Sequence, residues 1–310
     1  MKEFTITRNE AGQRADKLLA KYLKEAPKSF LYKMMRKKNI TLNGKKIQGN
    51  EQLSEGDVLR LFLAEETIQK FQGEESAAKA QAHSPSPRML PNQRRQKLDI
   101  IYEDADILLL NKPVGMLSQK AQPQDVSAVE YLISYLLESG QLTGEELQRF
   151  HPSVCNRLDR NTSGILIAGK SLPGLQQMSE MLRDRSLHKY YCCIVNGTMR
   201  GTKHLKGYLV KDHASNRVTI LDQMPENAAT SQDAQPIETV YRAVASRNGQ
   251  TLLEVLLVTG RSHQIRAHLA SIKHPVMGDV KYGAKKRNGI TSQLLHAYRL
   301  ELENGEEIIA

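Results

Sequence analysis

Residues 64–96 are rich in Gln, Ala, Glu and Ser, hold Pro85, Pro87 and Pro91, and include Phe71 as their one aromatic residue. A stretch of that composition buries too little apolar surface to offset the entropy of ordering itself, so a flexible linker is expected there. The break divides the 310 residues into two separately packed units, residues 1–63 and residues 97–310. The second is long enough to bury a sizeable core. The first would be free to move on its tether.

The two units differ in charge. Residues 1–63 carry 14 basic and 7 acidic side chains, a net of +7, whereas residues 97–310 carry 25 and 23, a net of +2. Basic residues concentrated in one small module are the electrostatic footprint of a polyanion binder, although a merely soluble basic face gives the same count. Leu18, Leu19, Tyr22 and Leu23 recur at helical spacing and predict a helix over residues 14–24. After Pro27 a second helix is predicted over residues 28–37, with Phe30, Leu31, Met34 and Met35 apolar and Lys28, Lys33, Arg36 and Lys37 largely off that stripe; Lys38 extends the cluster. Short strands follow at residues 40–42 and 46–47 around Asn43-Gly44, a strong short hairpin signal, and at residues 58–63.

In the larger unit, strands are predicted near residues 100–102, 107–110, 165–168, 190–195, 206–210, 239–246 and 251–258, and helices near 126–138, 172–185 and 262–273. Strands outnumber helices and do not alternate regularly with them. This pattern predicts an α+β fold with a mixed, largely antiparallel sheet, alongside a small α/β N-terminal domain. Residues 212–236, with Pro225 and Pro236, read as an insertion or long loop. Apolar runs fall far short of the ~18 residues a membrane span needs. The N-terminus has no signal-peptide pattern, so a cytoplasmic protein without membrane contact is expected. Cys155, Cys192 and Cys193 form no C-x-x-C pair, and no H-E-x-x-H occurs, so neither a metal site nor a disulfide framework is expected.

Four segments could carry chemistry. Gly164 to Ser171 fits G-x-x-x-x-G-K-S, yet its Ile-Leu-Ile-Ala interior reads as a buried strand rather than a phosphate-cradling turn, and Pro173 follows closely. Just upstream, Asn156-Arg157-Leu158-Asp159-Arg160-Asn161-Thr162-Ser163-Gly164 sets one carboxylate between two arginines. Such surroundings suit an ionised nucleophile or base working beside phosphates, and equally suit a structural ion pair in a loop. In Thr259-Gly260-Arg261-Ser262-His263-Gln264-Ile265-Arg266-Ala267-His268, Ser262 is the expected helix N-cap and Ile265, Leu269 and Ile272 the buried stripe. His263 and Arg266 share another face, whereas His263 and His268, five apart, do not. Alternation along Lys189-Tyr190-Tyr191-Cys192-Cys193 sends Tyr191 and Cys193 to one face of a strand.

Taken in order, these three latter segments resemble the RluA family of pseudouridine synthases acting on large-subunit ribosomal RNA. The resemblance extends over most of residues 98–302. It includes Asn111-Lys112-Pro113-Val114-Gly115, His274-Pro275-Val276-Met277-Gly278-Asp279, Tyr282-Gly283 and Leu295-His296-Ala297. Residues 1–63 resemble the small RNA-binding domain of the ribosomal-protein S-four type. The resemblance implies that Asp159 is the catalytic aspartate, that Tyr191 stacks on the target base, and that Arg266 pairs with the aspartate. It implies no cofactor. RNA contacts are expected from Arg14, Lys28, Lys33, Arg36, Lys37, Lys38, Lys112, Arg157, Arg160 and His263. One departure stands out: the family's usual His before Arg157 is Asn156 here. Ribosomal RNA is the expected partner, with transfer RNA as the alternative target, for a monomeric protein. A non-catalytic RNA-binding or ribosome-assembly factor is the competing reading.

Overall fold

The computed structural model describes residues 1–73, 98–212, 214–225 and 233–310. In the N-terminal unit, strands β1 (Lys2–Thr5), β2 (Ile40–Leu42), β3 (Lys45–Lys46) and β4 (Val58–Leu61) form an antiparallel sheet in the order β1-β4-β2-β3. The Asn43-Gly44 turn forms as its sequence predicts, with φ of 51° and 73°. Two consecutive positive φ values match the right-handed twist of the flanking strands. Helices α1 (Ala15–Tyr22) and α2 (Lys28–Arg36) bury Leu18, Leu19, Leu31 and Met35 against Phe4, Ile40, Leu59 and Leu61 of the sheet.

A third helix, α3 (Glu65–Gln72), corrects the linker boundary. Ile68 is 1% exposed in the N-terminal core, and Phe71 packs on Phe30 with ring centroids 4.7 Å apart. Two apolar residues one turn apart were enough to dock a segment that is otherwise polar. The rest of the expected linker, residues 74–96, lies outside the described residues.

The larger unit contains β5 (Ile100–Glu103), β6 (Ile107–Lys112), β7 (Ser153–Val154), β8 (Ser163–Gly169), β9 (Leu187–Asn196), β10 (Thr202–Asp212), β11 (Arg217–Leu221), β12 (Gln235–Arg247), β13 (Gln250–Leu257), β14 (Leu295–Leu302) and β15 (Glu307–Ile309). They make one sheet in the order β11-β10-β12-β13-β9-β14-β8-β6-β5, with β15 on β14 and β7 on β8. Among these pairings only β14 with β8 is parallel, so the sheet is mixed and largely antiparallel, as expected. Strand β11 lies within the stretch read as a long loop and pairs with β10 from Tyr208↔Leu221 to Asp212↔Arg217. Helices α4 (Ala128–Glu138), α5 (Gly144–Leu147), α6 (Leu172–Asp184) and α7 (Gln264–Ser271) complete the unit. No described helix is long and apolar enough to cross a membrane.

The phosphate-loop pattern is strand, as its apolar interior indicated, because Gly164 to Gly169 lie in β8. Pro173 does not oppose the next helix: it occupies the first turn of α6, where no backbone N–H is needed, and Ser171 caps that helix. Lys170 is turned inward and donates to Glu103 Oε1 and the Asp104 carbonyl, both at 2.6 Å.

The two units are in contact rather than separated. Arg149, 4% exposed, pairs with Glu10, 0% exposed, and its guanidinium lies 4.4 Å from the centroid of Phe4. Arg8 donates twice to Asp106, at 3.1 and 2.5 Å, and the Leu172 N–H donates to the Asn9 carbonyl at 3.1 Å. Ion pairs and a backbone hydrogen bond thus join the two units in this state. Removing one partner of a buried ion pair strands the other charge, typically at ~3–5 kcal/mol. Arg149→Ala is accordingly expected to lower the thermal midpoint and separate the unfolding of the two units, while Arg149→Ala with Glu10→Gln recovers part of the loss. Calorimetry checks this; unchanged, single-transition melting of Arg149→Ala would show that the contact contributes nothing.

Candidate active site

A row of residues in register crosses the middle of the sheet: Lys112 on β6, Gly164 on β8, Ala297 on β14, Tyr191 on β9 and Val255 on β13. Gly164, at φ +107°, follows Ser163 in the parallel contact of β8 with β14. A Cβ at that position would lie 2.1 Å from the Ala297 carbonyl oxygen, so only glycine lets the two strands approach this closely. The segment 156–162 leads directly into this row, which brings Asp159 to the neighbourhood of Tyr191.

The loop bearing Asp159 is tied down on several sides. The Leu158 N–H donates to Ser118 Oγ at 3.0 Å, and that hydroxyl donates to the Leu158 carbonyl at 2.8 Å. The Thr162 N–H donates to the Asp159 carbonyl at 3.0 Å, closing a turn. Asn156 has an explicit structural job: its Oδ1 accepts from the Ile167 N–H at 2.8 Å, fastening the loop to β8. Lys112 corrects an expectation. It is 0% exposed and cannot meet RNA; its ammonium donates to the carbonyls of Pro113 (3.0 Å), Met116 (2.9 Å) and Arg160 (3.1 Å). Burial pulls its pKa down to about 8, against the favourable charge of Asp159.

Arg266 projects from α7 and is 6% exposed. Its Nη1 donates to Asp159 Oδ2 at 2.7 Å, and its Nε and Nη2 form a fork on Asp279 at 2.6 and 2.8 Å. Burial works against its charge, but the two carboxylates outweigh it and hold the guanidinium above its ordinary pKa. Helix α7 departs from the pattern expected of it. It begins at Gln264, with His263 rather than Ser262 at the N-cap in the left-handed conformation, and its six residues from Gln264 to Leu269 are all buried. The polar residues find internal partners: Gln264 Nε2 donates to Thr239 Oγ1 at 2.9 Å, and His268 Nδ1 meets the same hydroxyl at 3.1 Å. Burial lowers the His268 pKa to about 4, which makes it a neutral core residue.

His263, expected to contact RNA, lies beside Asp159. Its Nε2 lies 3.9 Å from Asp159 Oδ2, and its Nδ1 is 2.9 Å from the Tyr282 hydroxyl. That hydroxyl oxygen already accepts from the Val218 N–H at 3.1 Å. The tyrosine proton can therefore go to Nδ1, which leaves the imidazole proton on the side facing Asp159. Burial lowers the His263 pKa, opposed by Asp159, so the ring is a neutral neighbour of the carboxylate.

Tyr191 is 5% exposed, and Cys193 shares its buried face while Tyr190 and Cys192 lie on the other, as alternation indicated. Burial raises the Tyr191 pKa, and the Asp159 charge adds to the effect. The phenol is thus neutral. Arg157 and Arg160 are both exposed at the edge of the site, with Arg160 Nε donating to the Gly115 carbonyl at 3.1 Å. The structure thus brings Asp159, Tyr191, Arg266 and His263 together and adds Asp279 and Tyr282, whose part is decided by tertiary contacts. Arg14, Lys28, Lys33, Arg36, Lys37 and Lys38 belong to the N-terminal unit and are exposed, Arg14 in a fork on Asp16 at 3.0 and 2.9 Å.

The chain is similar throughout to curated proteins. It is 30% identical to Ribosomal large subunit pseudouridine synthase C of Escherichia coli K12 over 310 residues, covering 97% of this chain and 88% of that protein. It is 29% identical to the protein of the same name from Vibrio vulnificus, over 93% of this chain and 82% of that one. Among solved structures, Human RNA Pseudouridylate Synthase Domain Containing 4 superposes with a TM-score of 0.55 at 22% identity, covering 68% of this chain and 87% of that one, a likeness in fold. Residues 106–271 match the model of the RNA pseudouridylate synthase family. That segment holds Lys112, Asp159, Tyr191 and Arg266, and with the relatives it shows that the chain belongs to the RNA pseudouridylate synthase family and is an RNA pseudouridine synthase.

Proposed function

We propose that this enzyme isomerises uridine in large-subunit ribosomal RNA with Asp159 as its catalytic group, acting as a monomer in the cytoplasm. The observation that carries the reading is the Asp159 carboxylate, held at 2.7 Å by a buried, permanently charged Arg266 and placed beside a buried tyrosine. The names of the relatives supply the ribosomal target. The reaction breaks the bond between the ribose and a uracil nitrogen, turns the base, and rejoins it through carbon-5. No atom is gained or lost. Asp159 begins it as an ionised carboxylate, by attack on the anomeric carbon or by taking the ribose 2′ proton. Arg266 fixes the carboxylate's position. The face of Tyr191 supports the detached base and keeps water out while it turns. The target nucleotide has to leave its helix or loop to reach the site, and Arg157 and Arg160 are placed to contact its phosphates. The basic face of residues 1–63, assigned as an S-four-type domain, supplies sequence-tolerant affinity.

Asp159→Asn is expected to keep RNA affinity within about twofold and to abolish product, because it retains shape but not charge. Single-turnover assays with a ribosomal RNA fragment check this, and appreciable turnover would remove Asp159 from its role. Lys33→Ala, Arg36→Ala and Lys37→Ala together are expected to reduce the slope of log affinity against log salt by about 2 to 3. An unchanged slope in binding titrations places the RNA elsewhere.

Lys112 gives a pH prediction. Above about pH 8 it loses its proton, and a neutral amine has two N–H donors for three carbonyls. Activity is expected to fall through that range while RNA binding holds. The fall is not unfolding: a native pKa below the unfolded value means the unfolded chain binds more protons from about pH 8 to the ordinary lysine pKa of 10.5, so this group makes stability rise with pH there. A pH–rate profile measured beside thermal melts checks both directions, and a flat rate from pH 7 to pH 10 contradicts the assignment.

A further inference from the structure

The register row that passes through the active site continues beyond it. Val255 is opposite Tyr241 on β12, and Tyr241 is opposite Lys203 on β10. Tyr191 and Tyr241 are therefore two strands apart, about 10 Å at the ordinary strand spacing, and both belong to the same buried face. Helix α7 bridges the interval: Arg266 on its first turn reaches Asp159, and its C-cap residue Ile272 reaches a second cavity.

That cavity has a volume of about 410 Å³. Leu205 and Ile272, both half-buried, and Tyr241, 2% exposed behind them, make an apolar wall, and Arg200, Lys203 and His274 contribute nitrogen. Among the described residues no carboxylate lines it. Neither Arg200 nor Lys203 has a side-chain hydrogen bond or ion pair with another described residue. His274 is fixed in place, since its Nδ1 donates to the Asn196 carbonyl at 2.8 Å. Gly197, at φ +96°, makes room for the ring: a Cβ there would lie 2.6 Å from that same Nδ1. An aromatic and aliphatic wall beneath cations with no partner among the described residues is the chemistry that holds a base and its phosphate in single-stranded nucleic acid.

We propose that this cavity binds an unpaired nucleotide of the same RNA whose uridine occupies the active site. Its base lies against Tyr241, Leu205 and Ile272, and Arg200 and Lys203 meet the adjoining phosphates. The proposal rests on the chain being an RNA pseudouridine synthase. Its consequence is selectivity, because a target uridine needs a second unstacked nucleotide within short reach along the strand.

The test uses the full chain, a ribosomal RNA fragment and a short single-stranded oligouridylate. Arg200→Ala with Lys203→Ala is expected to weaken binding of both RNAs about tenfold, and to reduce the salt slope by about 1.4 for two single-strand phosphates. KM rises and kcat is unchanged, as for lost uniform binding. Thr198→Trp, at an exposed position lining the same cavity, fills the space and keeps both cations. It is expected to raise KM with the salt slope unaltered. RNA carrying 4-thiouridine is expected to crosslink to the peptide containing Tyr241. Unchanged affinity in the double variant overturns the proposal. So does a silent Thr198→Trp, which reduces the site to a basic surface, and so do crosslinks confined to other peptides. Repeating the binding measurements on Asp159→Asn separates this from the catalytic assignment, whose failure appears as turnover in that variant and leaves the cavity's result standing.

Discussion

One guanidinium organises this site. Arg266 is buried between Asp159 and Asp279, and three of its donors are spent on the two carboxylates. A charge removed from water is expensive unless its partners are well placed and hydrogen bonded. The fork on the 2% exposed Asp279 meets that condition. With Asp279 as structural counter-ion, Nη1 can face Asp159, which keeps 22% of its side chain exposed. The proposed mechanism therefore uses the exposed end of a three-membered ionic chain whose buried end is anchored.

The same economy appears around it. Lys112 uses a buried ammonium to gather three loop carbonyls instead of meeting phosphate. Tyr282 supports the site twice: its hydroxyl connects the Val218 backbone to His263, and its ring lies 5.1 Å from the Arg266 guanidinium. Rigid support of this kind holds a carboxylate within the small positional tolerance that the proposed chemistry demands. Asn156 adds to the same support, its side-chain oxygen holding the loop to β8.

The docked N-terminal unit changes how the basic surface works. On a free tether it would raise local RNA concentration. Held by Glu10–Arg149 and Arg8–Asp106, it presents its cations at a fixed position relative to the catalytic unit. In the proposed function, RNA then meets those cations and the catalytic unit in one fixed arrangement. That proposed arrangement includes the cavity beside Tyr241, so affinity and choice of target draw on several separated contacts.

Local pattern alone determined a good deal. Alternation on Tyr191 and Cys193, the helical stripe of Leu18, Leu19 and Tyr22, and the Asn43-Gly44 turn are fixed by nearest neighbours along the chain, and they appear where the sequence placed them. The arginine-flanked Asp159 was visible because charge next to charge is a sequence-local event. Tertiary structure decided the rest. Short β1, β7 and β15 carry too few residues to show a period and exist only through the strands they pair with. Helix α3 is polar except where Ile68 and Phe71 find the core. A lysine reads as a surface cation until the fold surrounds it, which is why Lys112 passed for an RNA contact. Asp279 lies 13 residues from Arg266, and Asp159 lies 107 away. No spacing along the chain encodes that three-way contact, because it is made by a loop, a helix and a turn that meet only when the sheet has formed.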